Sequence, residues 1–463
     1  MLKIKLFFVL TVFIFTASCF NQKALVVDND NDKPQFIPPS VQVIGNPDSG
    51  YQYLVNGDYL KSGFPYSFFR KAGVKEKTNF LKRSGINQNI PYDYTAIKAP
   101  NGELVVAPNC LQCHAQRMGD SLILGLGNTL FDFSMPMYGS SLIAEKIALA
   151  GATEKEKQAS ANLFTAMKAM APYLVASSRG VNVADRLTAV LASYRDPATF
   201  KWLKKPALKI PEQVIPTDVP AWWLLKKKNG MFYNGFGRGD FSRFLMASNL
   251  LTVSDSSESS EVFSHFHHVL SYIYSLTPPK YPAGINNSLA ANGKILFEKN
   301  CSDCHGTYGN TAYYPNLLIP GKTIKTDSML YASNFSSPQF LEWFKRSWFR
   351  TGDRQADLVP YAGYIAPPLD GIWITAPYLH NGSVPTLEGV LNSKLRPSYW
   401  SRDFKKPVYD TLQPGWKHTV SDKQYTRSTY NTTIPGYSNK GHFFGDQLSE
   451  KERAAILEYL KTL

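Results

Sequence analysis

Two short stretches concentrate the reactive side chains of this 463-residue chain: "CLQCH", with Cys110, Cys113 and His114, and "CSDCH", with Cys301, Cys304 and His305. Both have the spacing C-x-x-C-H, the signature of covalent haem attachment. Two thiols add to the two vinyl groups of haem as thioethers. Two intervening residues set the sulfurs apart, and the histidine that follows falls under the iron. A four-cysteine zinc site gives no reason for a histidine after each pair. Neither does a redox C-x-x-C or a pair of structural disulfides. The chain has five cysteines, so the two motifs use all of them except Cys19 near the N-terminus. The expectation is two covalently bound c-type haems, with His114 and His305 as proximal ligands.

What binds the opposite face of each iron decides the chemistry. A methionine raises the potential and suits electron transfer, and an open position admits oxygen or peroxide. After His305 the candidates are Met329, His380, His418 and His442. His380 sits on a loop bounded by Pro377, Gly382 and Pro385, stiff enough to hold one imidazole without large entropy loss. Spacing alone leaves it open whether His380 is a ligand or a hydrogen-bonded turn histidine. For the first haem no histidine occurs between His114 and His265. Met118, Met135 and Met137 are local alternatives to packing in an apolar core. His265, His267 and His268 are distant ones, and an open sixth position is a further option.

Mostly helical segments are expected to position these groups. Thr153 with Glu156, and Ser449 with Glu452, form capping boxes ahead of apolar runs. Glu261–Leu276 repeats apolar residues at helical spacing. "SLAANGKILFEKN" reads as a short helix leading into Cys301. The closing "LSEKERAAILEYLKTL" reads as a helix that packs across it. Strand signals are few and short. The expected fold is therefore mainly α, with two cytochrome c-type haem domains and long irregular loops. The domains are expected over 46–280 and 281–463, joined near the Pro- and Gly-rich "SLTPPKYPAGINNS".

At this length a two-domain chain is expected. The net charge is +14 and is spread diffusely, with Lys226, Lys227 and Lys228 the densest cluster. Such an excess suits an acidic redox partner or an anionic membrane. No nucleic-acid motif accompanies it. At the N-terminus, Lys3 and Lys5 precede an apolar run from Leu6 to Phe15 and then "TASC". This pattern predicts a signal peptide over 1–18. Cys19 after Ala17 and Ser18 resembles the lipobox of bacterial lipoproteins, in which that cysteine is lipidated. Thr16 stands where the motif usually has Leu. Residues 19–45 then read as a flexible tether, and the expected location is the periplasm or cell envelope, at a membrane through the lipid anchor.

"PPLDGIWITAPYLHNGSVPTLEGVL" and "GHFFGDQLSEKERAAILEYLKTL" resemble the C-terminal haem domain of the bacterial di-haem cytochrome c peroxidase superfamily. Together with "IPTDVPAWWLLKKKNGMFYNGFGRGDFSR" they are most similar to its rubber-oxygenase-like branch. The resemblance spans roughly residues 50–463. It implies that His380 is the distal ligand of the second haem, opposite His305. It also implies that His114 ligates a first haem whose far side is open or holds dioxygen. An aromatic residue relays electrons between the haems in that superfamily, and Trp222 and Trp223 of "PAWW" match it by motif. The alternative for a Trp pair is core packing.

The chain departs from its relatives in two directions. Di-haem peroxidases carry a glutamate shortly after the bridging tryptophan, to move protons during O–O cleavage. Here no glutamate occurs from Trp222 to Ser257, and the peroxidase histidine soon after the first C-x-x-C-H is also absent. Rubber oxygenases are longer between the second haem and the distal-histidine loop. Two readings follow. One is an oxidoreductase acting on dioxygen or peroxide at the first haem, served by a small redox partner protein or a small-molecule oxidant or substrate. The other is a pure electron-transfer protein with both irons six-coordinate. A redox sensor or structural haem protein is a third class.

Overall fold

The computed structural model describes residues 33–136 and 138–463. The expected signal peptide, Cys19, the first part of the tether and Met137 lie outside the described residues.

The expectation of a mainly α fold with two separate cytochrome c domains is corrected. The chain is 38% helical and 13% strand, with several small sheets. Strands run for only two to five residues, and their pairing crosses the chain. Gln35–Phe36 pairs antiparallel with Leu317–Pro320, which also pairs with Gly363–Ile365. Gly237–Gly239 pairs with Ala356–Leu358. The largest apolar core draws on residues from Leu54 to Ile273, and also on Trp343, Phe349, Trp400 and Tyr437. Both halves therefore contribute to one buried interior. Ladders this short, closed by partners hundreds of residues away, leave no period-two pattern in the sequence.

The last part of the expected tether behaves the same way. Ile37 is buried, and its N–H donates to the Asn316 carbonyl. Gln42 bonds both Gly239 and Phe241, Gly45 donates to Ser271, and Asn46 donates to His268 Nδ1. Residues 35–46 thus strap the two halves together.

The helical expectations that frame the haem motifs hold. Thr153 and Ser449 cap Glu154–Met170 and Glu450–Leu460, each with its reciprocal glutamate bond. Ser256–Ser275 covers the periodic apolar run, and the next helix begins at Asn287. Asn287–Asn300 crosses the final helix at Gly293, where a Cβ would run into the Ala455 carbonyl. Only glycine permits so close an approach of two helix backbones.

Candidate functional site: two C-x-x-C-H turns and the segment between them

The first motif sits between two small sheets. Strand Leu104–Pro108 delivers the chain to Asn109, whose carboxamide oxygen accepts from the Leu111 N–H and whose NH2 donates to Thr95 and Tyr92. That turn starts the single helical turn Leu111–His114. The hairpin Ala115–Met118/Ser121–Leu124 follows at once. Asn182 Nδ2 lies 3.5 Å from Cys113 Sγ. Burial pushes the Cys110 thiol up to about 11 and the Cys113 thiol up as well. Such thiols are poor nucleophiles and poor metal ligands until deprotonated. Burial drives His114 down to about 3, so its imidazole is neutral with a lone pair to offer. Its Nδ1 is buried with no hydrogen-bond partner among the described residues.

The second motif follows helix Asn287–Asn300, with Ser302–His305 as its helical turn. Gly306 turns the chain at φ 79°, where a side chain would strike the Tyr313 carbonyl. Burial raises both thiols here too, Cys301 to about 11. The Nδ1 of His305 lies 2.8 Å from the Pro367 carbonyl. That bond assigns the proton to Nδ1 and leaves the Nε2 lone pair for a metal, the arrangement that orients and strengthens a histidine ligand. All four motif cysteines are free. Among the described residues no three His, Cys, Asp or Glu side chains gather to hold a metal ion directly. The two C-x-x-C pairs therefore do not come together as one four-cysteine site among the described residues.

His442, not His380, faces His305. The two rings lie 6.1 Å apart, centre to centre, at 60°. A metal held between two imidazoles would separate their ring centres by about 6 Å, so these two residues have the spacing such a pair would need. His442 has φ 50°, and its N–H donates to the Ile324 carbonyl. Burial, with the charges of His305 and Arg396, pushes it down to about 4. Its Nδ1 has no partner among the described residues.

His380 is committed elsewhere. Its ring stacks on Tyr364 at 4.2 Å, and its Nε2 lies 3.0 Å from the Tyr364 hydroxyl. That hydroxyl donates its one proton to the Asp327 carbonyl, so His380 Nε2 carries a proton and donates in turn. The His380 carbonyl accepts from the Asp218 N–H, and the neighbouring Asn381 is bonded to Gly436, Ser438 and Tyr430. The stiff loop holds the two halves together at this point.

The other candidate ligands are also engaged. His265 packs against Tyr53, ring centres 4.7 Å apart and tilted by 32°. His267 and His268 pack on each other beneath the N-terminal strap. His418 bonds the Trp416 carbonyl. Met118 sulfur accepts from Gln116, and Met135 is 55% exposed beside Arg427.

Trp222 and Trp223 face opposite ways from one 3-10 turn, Trp222–Lys227. Trp222 stacks on His114 with ring centres 4.5 Å apart at 19°. Trp223 donates its indole N–H to the Asp370 carbonyl and shares an apolar cluster with Trp373 and Ile374. Gly125, at φ 84°, lets them close in: a Cβ there would stand 2.9 Å from Leu276 and 3.1 Å from Trp222. The same turn reaches the second motif. Lys227 bonds the Asp370 carboxylate at 2.7 Å and lies 5.0 Å above the Tyr308 ring. Tyr308 in turn donates to the His305 carbonyl. Sequence reasoning missed Lys227, Tyr308 and Asp370 as parts of this bridge. Lys227 stood out only as part of a basic cluster.

Comparison with known proteins points the same way. Residues 363–401, which include Tyr364 and His380, match a family model described as RoxA-like, cytochrome c-like. The uncharacterized protein y4iM of Sinorhizobium fredii (strain NBRC 101917 / NGR234) is 29% identical over 306 residues, covering 58% of this chain and 68% of the relative. Protein y4iJ of the same organism, also uncharacterized, is 38% identical over 123 residues, covering 24% of this chain and 20% of the relative. Among the described residues no helix is long and apolar enough to cross a membrane. The domain match supports a haem-containing cytochrome of the rubber-oxygenase-like kind, with a c-type haem, and suggests an exported protein.

Proposed function

We propose that this chain is an exported di-haem c-type cytochrome with oxidoreductase activity. Cys110, Cys113 and His114 hold the first haem. Cys301, Cys304 and His305 hold the second, with His442 as its sixth ligand. The second haem stores and passes electrons, and the first is the reaction site for dioxygen or peroxide. Trp222 and Trp223 carry electrons between them. Each haem supplies one-electron redox chemistry once bound. The protein supplies neutral imidazoles, apolar walls and the connecting path.

The observation that carries this reading is the asymmetry of the two histidines. The His305 ring has a second imidazole 6.1 Å away and a carbonyl fixing its tautomer. The His114 ring has an indole stacked on it and an unpartnered Nδ1. An iron held between two imidazoles is saturated; an iron with one keeps a position for a diatomic or peroxide ligand. Lipidation of Cys19, and electron supply from a small acidic redox protein attracted by the net charge of +14, complete the reading.

The test is the optical spectrum of the purified holoprotein, fully reduced, with and without carbon monoxide. A shift confined to one haem supports the reading. Two six-coordinate haems that ignore carbon monoxide, cyanide and peroxide would leave the electron-transfer reading in its place.

A further inference from the structure

A second chain of aromatic rings leaves the Trp222–Trp223 pair and runs to the surface rather than to the second haem. Trp223 shares its buried cluster with Trp373, and Tyr281 packs against that cluster. Tyr281 meets Trp373 edge to face, with ring centres 5.5 Å apart. Both indole N–H groups are bound to backbone carbonyls, Trp223 to Asp370 and Trp373 to Pro279. These bonds fix the rings. The segment between them is equally tight. Gly371 is at φ 68°, a Cβ there would run into Pro278 and stand 3.3 Å from the Trp223 indole nitrogen, and its N–H donates to the carbonyl of Leu463.

Tyr281 is the outer end of this chain. It is half-buried in the connecting segment between exposed Lys280 and Pro282, and its hydroxyl donates to the Thr411 carbonyl. Lys461 lies 5.4 Å from the ring, with its charge balanced by Glu458 at 2.9 Å. Nothing in the assigned roles of the two haems requires these rings to share one cluster.

We propose that Tyr281 is a surface redox site, wired through Trp373, Trp223 and Trp222 to the first haem, and that it takes electrons from small phenols or aromatic amines in solution. The proposal rests on the first haem being the site of peroxide reaction. One hydroperoxide takes two electrons and two protons as its O–O bond breaks, giving water and an alcohol, or two waters from hydrogen peroxide. Tyr281 sends one electron inward along the rings and releases its phenolic proton to water. A donor molecule then returns one hydrogen atom to the Tyr281 oxygen and leaves as a radical. Two donors close each cycle.

Two experiments separate this proposal from the reading beneath it. In the first, the diferric holoprotein is treated with hydrogen peroxide and a nitroso spin trap without donor, and trapped residues are located by peptide mass spectrometry. The adduct is expected on Tyr281, and Trp373→Phe should lower it by roughly tenfold, the effect of about 1.4 kcal/mol on a barrier. In the second, a ruthenium photo-oxidant is coupled to Lys280→Cys, and flash oxidation of the ferrous first haem is timed. Trp373→Phe should slow it to a similar extent, with no peroxide involved. If the flash experiment responds but peroxide is not consumed, the wiring stands and the peroxide reaction falls. If Trp373→Phe changes neither the Tyr281 adduct nor the flash rate, the proposal is overturned.

Discussion

The imidazoles of His305 and His442 face one another with ring centres 6.1 Å apart, and the His305 Nδ1 is tied to the Pro367 carbonyl. In the proposed reading this pairing closes both faces of the second iron. Removing the His442 ring should open one of them. His442→Ala is expected to turn the low-spin signal of the second haem high-spin and to add a second carbon monoxide-binding haem. His380→Ala should leave the second haem low-spin, because the Tyr364 bond occupies its Nε2. Electron paramagnetic resonance of the two ferric variants checks both. A low-spin second haem in His442→Ala that is lost in His380→Ala would reverse the assignment.

The Trp222–Trp223 turn links the His114 ring to the Asp370–Lys227–Tyr308 bridge. Trp223→Phe keeps an aromatic ring but loses the indole bond to Asp370. Inter-haem electron transfer, followed by stopped-flow absorbance after mixing half-reduced protein with carbon monoxide, should slow several-fold. Equal rates in Trp223→Phe and Trp222→Phe compared with the parent would confine both residues to packing.

Gly293 sets the crossing of Asn287–Asn300 on Glu450–Leu460. Gly293→Val forces a side chain against the Ala455 carbonyl. It should destabilise the protein by on the order of 1–3 kcal/mol, read as a lower midpoint in guanidinium unfolding. The same substitution at exposed Gly284, where a Cβ meets nothing within 4 Å, is the control.

The Lys228 ammonium is buried and donates to the Phe232 carbonyl; burial, with Arg238 nearby, pushes it down to about 8. The unfolded chain titrates near 10.4. Between these values the unfolded state holds a proton that the folded state has lost, so this group's contribution to stability rises with pH from about 8 to 10.4 and its cost is full below 8. Lys228→Met should raise the unfolding midpoint at pH 7 and flatten the slope between pH 8 and 10. An unchanged slope would show that the ammonium has found compensation elsewhere.

Much of the chemistry was legible because it is local. C-x-x-C-H places two attachment thiols and one iron ligand on one helical turn, and no tertiary information is needed to see it. Both capping boxes were legible for the same reason. His442 was not singled out from His380 and His418 because its position depends on the strained backbone at Gly441 and His442 and on a long-range bond to Ile324. His380 drew attention through a stiff loop, and that stiffness serves the joint made with Asp218, Tyr364 and Tyr430. The fold class was misjudged because strands such as Gln35–Phe36 and Gly237–Gly239 are too short to show alternation and find partners far along the chain. The same cross-chain pairing turned an expected tether into a strap.

Whether the two haems differ as the two histidines do is tested most directly by titrating the reduced holoprotein with carbon monoxide while counting haems per chain by alkaline pyridine absorbance. The account predicts two haems per chain and one bound carbon monoxide. Two haems that bind none, or that both bind, would contradict it.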